Sequence, residues 1–234
     1  MRLQLYDLAG ADAARRFSPY CWRTRLALAH KGLPVETIPW RFTEKDTIAR
    51  SGQGRVPVLV DGERWIADSW AIANYLEDTY PDRPSLFGGS TGRALTRFYS
   101  NLADTLGGSI FRFVALDILQ HLHDKDREYF RNSREQRVGM TLEAFVADRD
   151  VRLAGFHESL APLRLTLQAQ TFLGGDRPHY ADYAVFGPFQ WARCISAFCL
   201  LATDDPIASW RERMLDAFDG LARTSPGYDG PPAA

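Results

Sequence analysis

The stretch FSPYCWRTR at residues 17–25 sets Ser18, Pro19, Tyr20 and Cys21 in a row. It is a Cys-x-x-Cys redox pattern with oxygen in place of the first sulfur. Ser caps helices well and Pro is favoured at the first helical position, so Ser18-Pro19 reads first as a helix start. The same geometry also suits chemistry. A hydroxyl and free amides at the positive end of a helix stabilise a nearby thiolate. No base is visible beside Ser18, so the nucleophile would be another molecule's sulfur, with Ser18 donating a hydrogen bond to it.

Two further motifs have the same double character. Pro57 in Arg55-Val56-Pro57 is tolerated as the first residue of a strand. Alternatively, a cis Val56–Pro57 bond would turn the Val56 backbone outward to pair with an extended peptide ligand. Asp68-Ser69 opens a helix, with Asp68 as its cap. It would equally serve as a carboxylate site at a helix N-terminus, with Asp68 able to meet an ammonium group. Other candidates carry less. Gly52-Gln53-Gly54 lacks the strand-before, helix-after setting of a dinucleotide loop. His121 and His123 diverge on a helix, and no cysteine or carboxylate array completes a metal site. Cys194 and Cys199 lie in an apolar helical pattern and read as small core residues.

The elements that must position these residues fall into two parts. In residues 1–85, RLQLYD reads as a strand, Arg23 to His30 as a helix with Trp22, Leu26 and Ala29 on one face, and VETIPW as a second strand. PVLVDGERWIA carries two alternating runs around Asp61-Gly62, the signature of a tight type I′ hairpin. DSWAIANYLEDTYP is a helix with Trp70, Ala73 or Asn74, and Leu76–Glu77 at helical spacing, stopped by Pro81. This order predicts a mixed four-stranded sheet with helices packed on it. Residues 86–92, within PDRPSLFGGSTG, read as a linker. Residues 93–234 show helical patterns only, at roughly 93–121, 127–170 (broken), 181–200 and 206–222. Asp182 stands three residues past a His179 cap in LGGDRPHYADY, the position of a capping box. The tail SPGYDGPPAA reads as loosely ordered.

Composition bounds the partners. The 234 residues carry 28 Lys+Arg against 29 Asp+Glu, a net charge of −1, so no basic field recruits nucleic acid or anionic lipid. No apolar run approaches a membrane span, and MRLQLYDLAG lacks the series of a signal peptide. Three cysteines without framework spacing fit a reducing cytoplasm.

Taken together and in order, these motifs resemble the glutathione transferase family over nearly the whole chain. The likeness runs through Ser18-Pro19-Tyr20, Arg55-Val56-Pro57-Val58, Asp68-Ser69, the linker, and Leu173-Gly174-Gly175-Asp176 with Ala181-Asp182-Tyr183. SPYCWRTRLALAHKG, RVPVLVD, DSWAIANYLEDTYPDRPSLF and SREQ look most like the branch that includes bacterial glutathione-dependent β-etherases. The resemblance implies an α/β plus all-α chain: a thioredoxin-like N-terminal domain, a helical-bundle C-terminal domain holding much of the substrate pocket, and a homodimer. It implies glutathione as co-substrate, with Ser18 activating the thiolate. Val56, before a cis-Pro57, would pair with the cysteinyl backbone, Asp68 and Ser69 would hold the γ-glutamyl end, and Arg55 would serve the glycyl carboxylate region. Two positions depart from the pattern. Asp68 stands where Glu is usual, a shorter reach to an ammonium, and His179 stands where Ser, Thr or Asn commonly caps.

The expected function is a cytoplasmic, detoxification-type transferase in which the glutathione thiolate attacks an apolar, aromatic electrophile. Tyr20, Phe111, Phe113 and Phe186 are candidate walls. Within the class the alternative is aryl ether cleavage. From other classes come a non-catalytic scaffold and a thiol–disulfide oxidoreductase using Cys21.

Overall fold

The structure is a computed structural model that describes residues 3–228. Strand β1 (Leu3–Leu8) is followed by helix α1 (Pro19–His30), strand β2 (Val35–Trp40), and a 3₁₀ turn at Lys45–Ser51. Strands β3 (Val58–Asp61) and β4 (Arg64–Ala67) form a hairpin, and helix α2 (Ser69–Thr79) closes this part. The sheet order is β2-β1-β3-β4, with β1 and β2 parallel and the other neighbours antiparallel. A parallel pair needs a crossover, and α1 supplies it. Pro39 is accommodated because β2 is an edge strand. This is a thioredoxin-like arrangement followed by an all-helical region, as the sequence predicts.

The helical region comprises α3 (Ser90–Val114), a 3₁₀ turn at Asp117–His121, α4 (Asp124–Val138), α5 (Leu142–Val146), α6 (Arg149–Ser159), α7 (Ala161–Ala169), α8 (Tyr180–Ile195) and α9 (Pro206–Gly220). Every residue of α8 except Trp191 is buried, because the helix is wedged between α1 and α3. Its start is anchored by Asp182. That carboxylate accepts from the N–H groups of Leu173 (2.7 Å), Gly174 (2.9 Å) and His179 (3.0 Å), and from Trp210 Nε1 (2.9 Å). The His179 N–H bond is the Asp182 half of the predicted capping box.

Several expectations are corrected by non-local contacts. The hairpin loop is Gly62-Glu63, with positive φ at Gly62 only, the sign pattern of a type II′ rather than a type I′ turn. The 86–92 segment is well anchored. Leu86 and Phe87 are buried, Leu86 O accepts from Tyr180 N–H at 2.9 Å, and Ser90 to Gly92 already belong to α3. Buried Lys31 binds Glu77 at 2.7 Å, and Glu77 in turn accepts from Ser85 and from Leu86 N–H, so α1, α2 and the linker are tied at one point. Cys194 is buried as expected, but α8 ends at Ile195 and Cys199 is exposed beyond it. Within the tail, Ser225 to Tyr228 are held: Arg193 donates to Ser225 O at 3.1 Å, and Tyr228 N–H donates to Arg193 O at 2.8 Å. Residues 229–234 of that tail lie outside the described residues. Among the described residues no helix is long and apolar enough to cross a membrane.

Candidate active site

Ser18 caps α1 as its sequence demands: the backbone is extended, and Oγ accepts from Cys21 N–H at 3.2 Å. The chain reaches this point through a braced loop. Phe17 N–H donates to Leu8 O (3.3 Å) and Trp22 Nε1 donates to Arg16 O (2.9 Å). From the other side α8 presses directly on the start of α1. A Cβ on Gly187 would lie 2.4 Å from Pro19 O, so only glycine permits this approach. The Ser18 hydroxyl carries one donor proton besides its acceptor pairs, and the buried Cys21 thiol also stands within its hydrogen-bonding reach.

Ser18 opens onto a cavity of about 1100 Å³ between the sheet-bearing part and helices α3, α4, α5 and α8. Arg55 and Val56 share its wall with Ser18. The Val56–Pro57 bond is cis, and Pro57 itself is buried behind that wall. Asp68 and Ser69 do not line the cavity. They form the start of α2, where Asp68, at φ 77°, caps the helix by accepting from Trp70 N–H (2.9 Å) and Ala71 N–H (3.0 Å). Ser69 is buried, and its carbonyl accepts from Tyr180 OH at 2.7 Å. Tyr20 lines the cavity. Burial first, and then Asp104, raise its phenol, and the Asp68 charge adds to the effect.

Cys21 is shut away from this cavity. It is 0% exposed, and burial, reinforced by Asp7, pushes its thiol well above the ordinary range. A buried neutral thiol is inert in exchange. Of the four aromatic walls expected, Tyr20 and Phe111 line the cavity. Phe113 is instead packed between Phe156 and Phe198, and Phe186 lies against Trp210. His121 binds Ile195 O, and His123 caps α4 by accepting from Lys125 N–H. Among the described residues no group of three or more metal-ligating side chains converges.

Sequence reading missed most of the helical wall. Gly107 and Gly108 face the cavity from α3, Arg134 and Arg137 from α4, and Trp191 from α8. The adjacent glycines in mid-helix are the one signal that could have pointed there, since such glycines usually mark a close approach or a space.

The comparisons with known proteins agree with this architecture. The family model for the glutathione S-transferase N-terminal domain matches residues 17–79, and that for the glutathione S-transferase C-terminal domain matches residues 94–205. Glutathione S-transferase Z1 of Arabidopsis thaliana is 44% identical over 90 residues, 36% of this chain. That match spans 38% of the relative, so the chain covers well under half of its length. The crystal structure of glutathione transferase GSTFuA3 from Phanerochaete chrysosporium superposes with a TM-score of 0.75 at 28% identity, over 94% of this chain and 92% of that one. The glutathione S-transferase CsGST63524 of Ceriporiopsis subvermispora, solved in complex with glutathione, shares the fold at a TM-score of 0.75 and 24% identity, over 96% and 95% of the two chains. With both domain models matched in order over about three-quarters of its length, the chain belongs to the glutathione S-transferase family.

Proposed function

We propose that this chain is a Ser-type glutathione transferase acting on an aromatic electrophile. The observation that carries the reading is Ser18. Ser18 caps the N-terminus of α1 and lines a large cavity that Val56 and Arg55 also line. Glutathione would lie along these residues. The Val56 backbone would pair with its cysteinyl unit before the cis-Pro57, Arg55 would meet the glycyl carboxylate, and Asp68 with Ser69 would take the γ-glutamyl end at the start of α2. A relative of the same fold was solved with glutathione, which supports the choice of ligand.

The chemistry follows from the thiol. A free thiol has a pKa near 8.5, so only a few per cent is thiolate at pH 7. A hydrogen bond from Ser18, added to the helix-end field, lowers that value. The thiolate then forms a sulfur–carbon bond to the electrophile, and the leaving group departs with the bonding pair. Where the leaving group is an aryloxide, the same step is β-aryl ether cleavage.

The free cysteines Cys21, Cys194 and Cys199 fit a reducing cytoplasm. A homodimer is supported by α3, which leaves Leu95 (63%) and Phe98 (66%) exposed. Assaying an aryl halide and a β-aryl ether side by side with glutathione tests the reading. Product from either, lost in Ser18→Ala, supports it, and faster ether cleavage selects the etherase form. No product from either, with no binding of glutathione, returns the protein to a scaffold.

A further inference from the structure

The cavity wall facing Ser18 is more basic than an uncharged aromatic requires. Arg134 and Arg137 are three residues apart on α4 and so share a helix face. The Arg134 guanidinium lies 5.2 Å from the Phe42 ring centre and 4.7 Å from that of Phe130, and Arg137 lies 5.0 Å from Phe111. Arg134 donates to Ser133 Oγ at 2.9 Å. Among the described residues neither arginine forms an ion pair.

This is not for want of carboxylates on α4. One turn earlier, Arg131 binds Glu135 and Glu143, each at 2.9 Å. Lys125 reaches Glu44 at 2.6 Å. Among the described residues the one carboxylate on the cavity wall, Asp104, is engaged by Arg23 at 2.8 Å. Burial, with Arg137 and Arg55 adding repulsion, holds the Arg134 guanidinium below its ordinary value. A partly buried cation among aromatic rings, with a second cation beside it, is costly unless something negative completes it.

Glutathione, placed as proposed above, leaves this pair unused. Its glycyl carboxylate falls to Arg55, and its γ-glutamyl end to the start of α2. We infer that the second substrate is an aryl carboxylate, its ring among Phe111, Phe145 and Trp191 and its carboxylate on Arg134 and Arg137. Guanidinium groups match a carboxylate in planar, forked geometry, and stacking on Phe42 and Phe130 pre-orients Arg134 for that contact. The inference rests on the transferase reading for the identity of the site, but its own test is independent of glutathione.

The test compares biphenyl-4-carboxylate with its neutral amide by calorimetry, with and without saturating S-methylglutathione. Hydrogen bonds to charged groups are strong enough that the carboxylate is expected to bind at least about tenfold tighter than the amide. The preference should shrink as salt is raised. Arg137→Gln, at an exposed position that leaves the core intact, should lose most of the preference. The double variant with Arg134→Gln should lose all of it, while the affinity for S-methylglutathione stays the same. Equal binding of carboxylate and amide by the wild type would overturn the inference. So would variants that keep the preference but weaken S-methylglutathione, since the arginines would then hold the glycyl carboxylate. If S-methylglutathione does not bind the wild type at all, the transferase reading fails, and the carboxylate-to-amide ratio still decides this one.

Discussion

The two walls of the cavity are built by different means. The Ser18 wall consists of backbone and caps. It includes an extended cap residue, a cis proline, and a helix pressed onto Pro19 O at a glycine that allows it, while the helix that Ser18 caps is tied at its far end by the buried Lys31–Glu77 pair. The helical wall consists of side chains and gaps, with Gly107 and Gly108 leaving space and arginines standing without carboxylate partners. The first arrangement tolerates almost no change of shape. The second can change residue by residue without disturbing the fold. A wall of the first kind suits a ligand that never varies, and one of the second kind suits a substrate that does.

The sharpest way to loosen the helix that carries the first wall is at Lys31, at the end of α1 away from Ser18. Lys31→Met leaves the half-buried Glu77 carboxylate without its cation but still bonded to Ser85 and Leu86 N–H, so the loss should lie near the low end of the range of about 3–5 kcal/mol for a broken buried pair. Chemical denaturation checks it. Burial alone would raise the Glu77 carboxyl, but donation from Lys31, Ser85 and Leu86 outweighs it and holds the group below its usual range. Its stabilisation is therefore present above the unfolded carboxyl value, near pH 4.3, and is lost as pH falls through the lowered folded value. The gap between wild type and Lys31→Met should close as pH drops below about 4.5.

Adding one methyl group to each wall should give opposite signs. Gly187→Ala puts a Cβ 2.4 Å from Pro19 O, so α8 and α1 must part. Overpacking of this kind costs about 1–3 kcal/mol, and turnover should fall further because Ser18 moves with Pro19. Gly108→Ala meets nothing within 4 Å. It should stabilise α3 by up to about 1 kcal/mol, the usual gain of Ala over Gly inside a helix. Thermal melts of the two variants decide whether the contrast is real. If both destabilise, the helical wall is as tightly packed as the other.

The same contrast explains what was legible in the sequence. The Ser18 wall depends on neighbours in the chain. Ser before Pro and Asp before Ser each mark a helix start that can be read from two residues, whereas Val before Pro leaves two backbone readings open that only the structure separates. The helical wall depends on residues from Gly107 to Trp191 meeting across four helices, and no local signal fixes that meeting. The errors follow the same division. Leu86 and Phe87 lie in the connection between α2 and α3, and what the sequence does not show is that Tyr180 and Trp70 pack on them. Ser225 to Tyr228 looked loose until Arg193, some thirty residues earlier, held them. Cys199 looked like core because an apolar pattern does not show that the helix stops at Ile195.

The central claim is that Ser18 is a thiolate donor as well as a helix cap. It is tested by the ultraviolet absorbance of protein-bound glutathione followed against pH in the wild type and in Ser18→Ala. The wild type should titrate about two units below the free thiol value near 8.5. Ser18→Ala should move the midpoint up by at least about one unit, each unit being about 1.4 kcal/mol of lost thiolate stabilisation. Glutathione affinity should change little, because the peptide ends are proposed to be held elsewhere. Superimposable titrations of the two proteins would show that Ser18 only caps α1, and the account would be wrong.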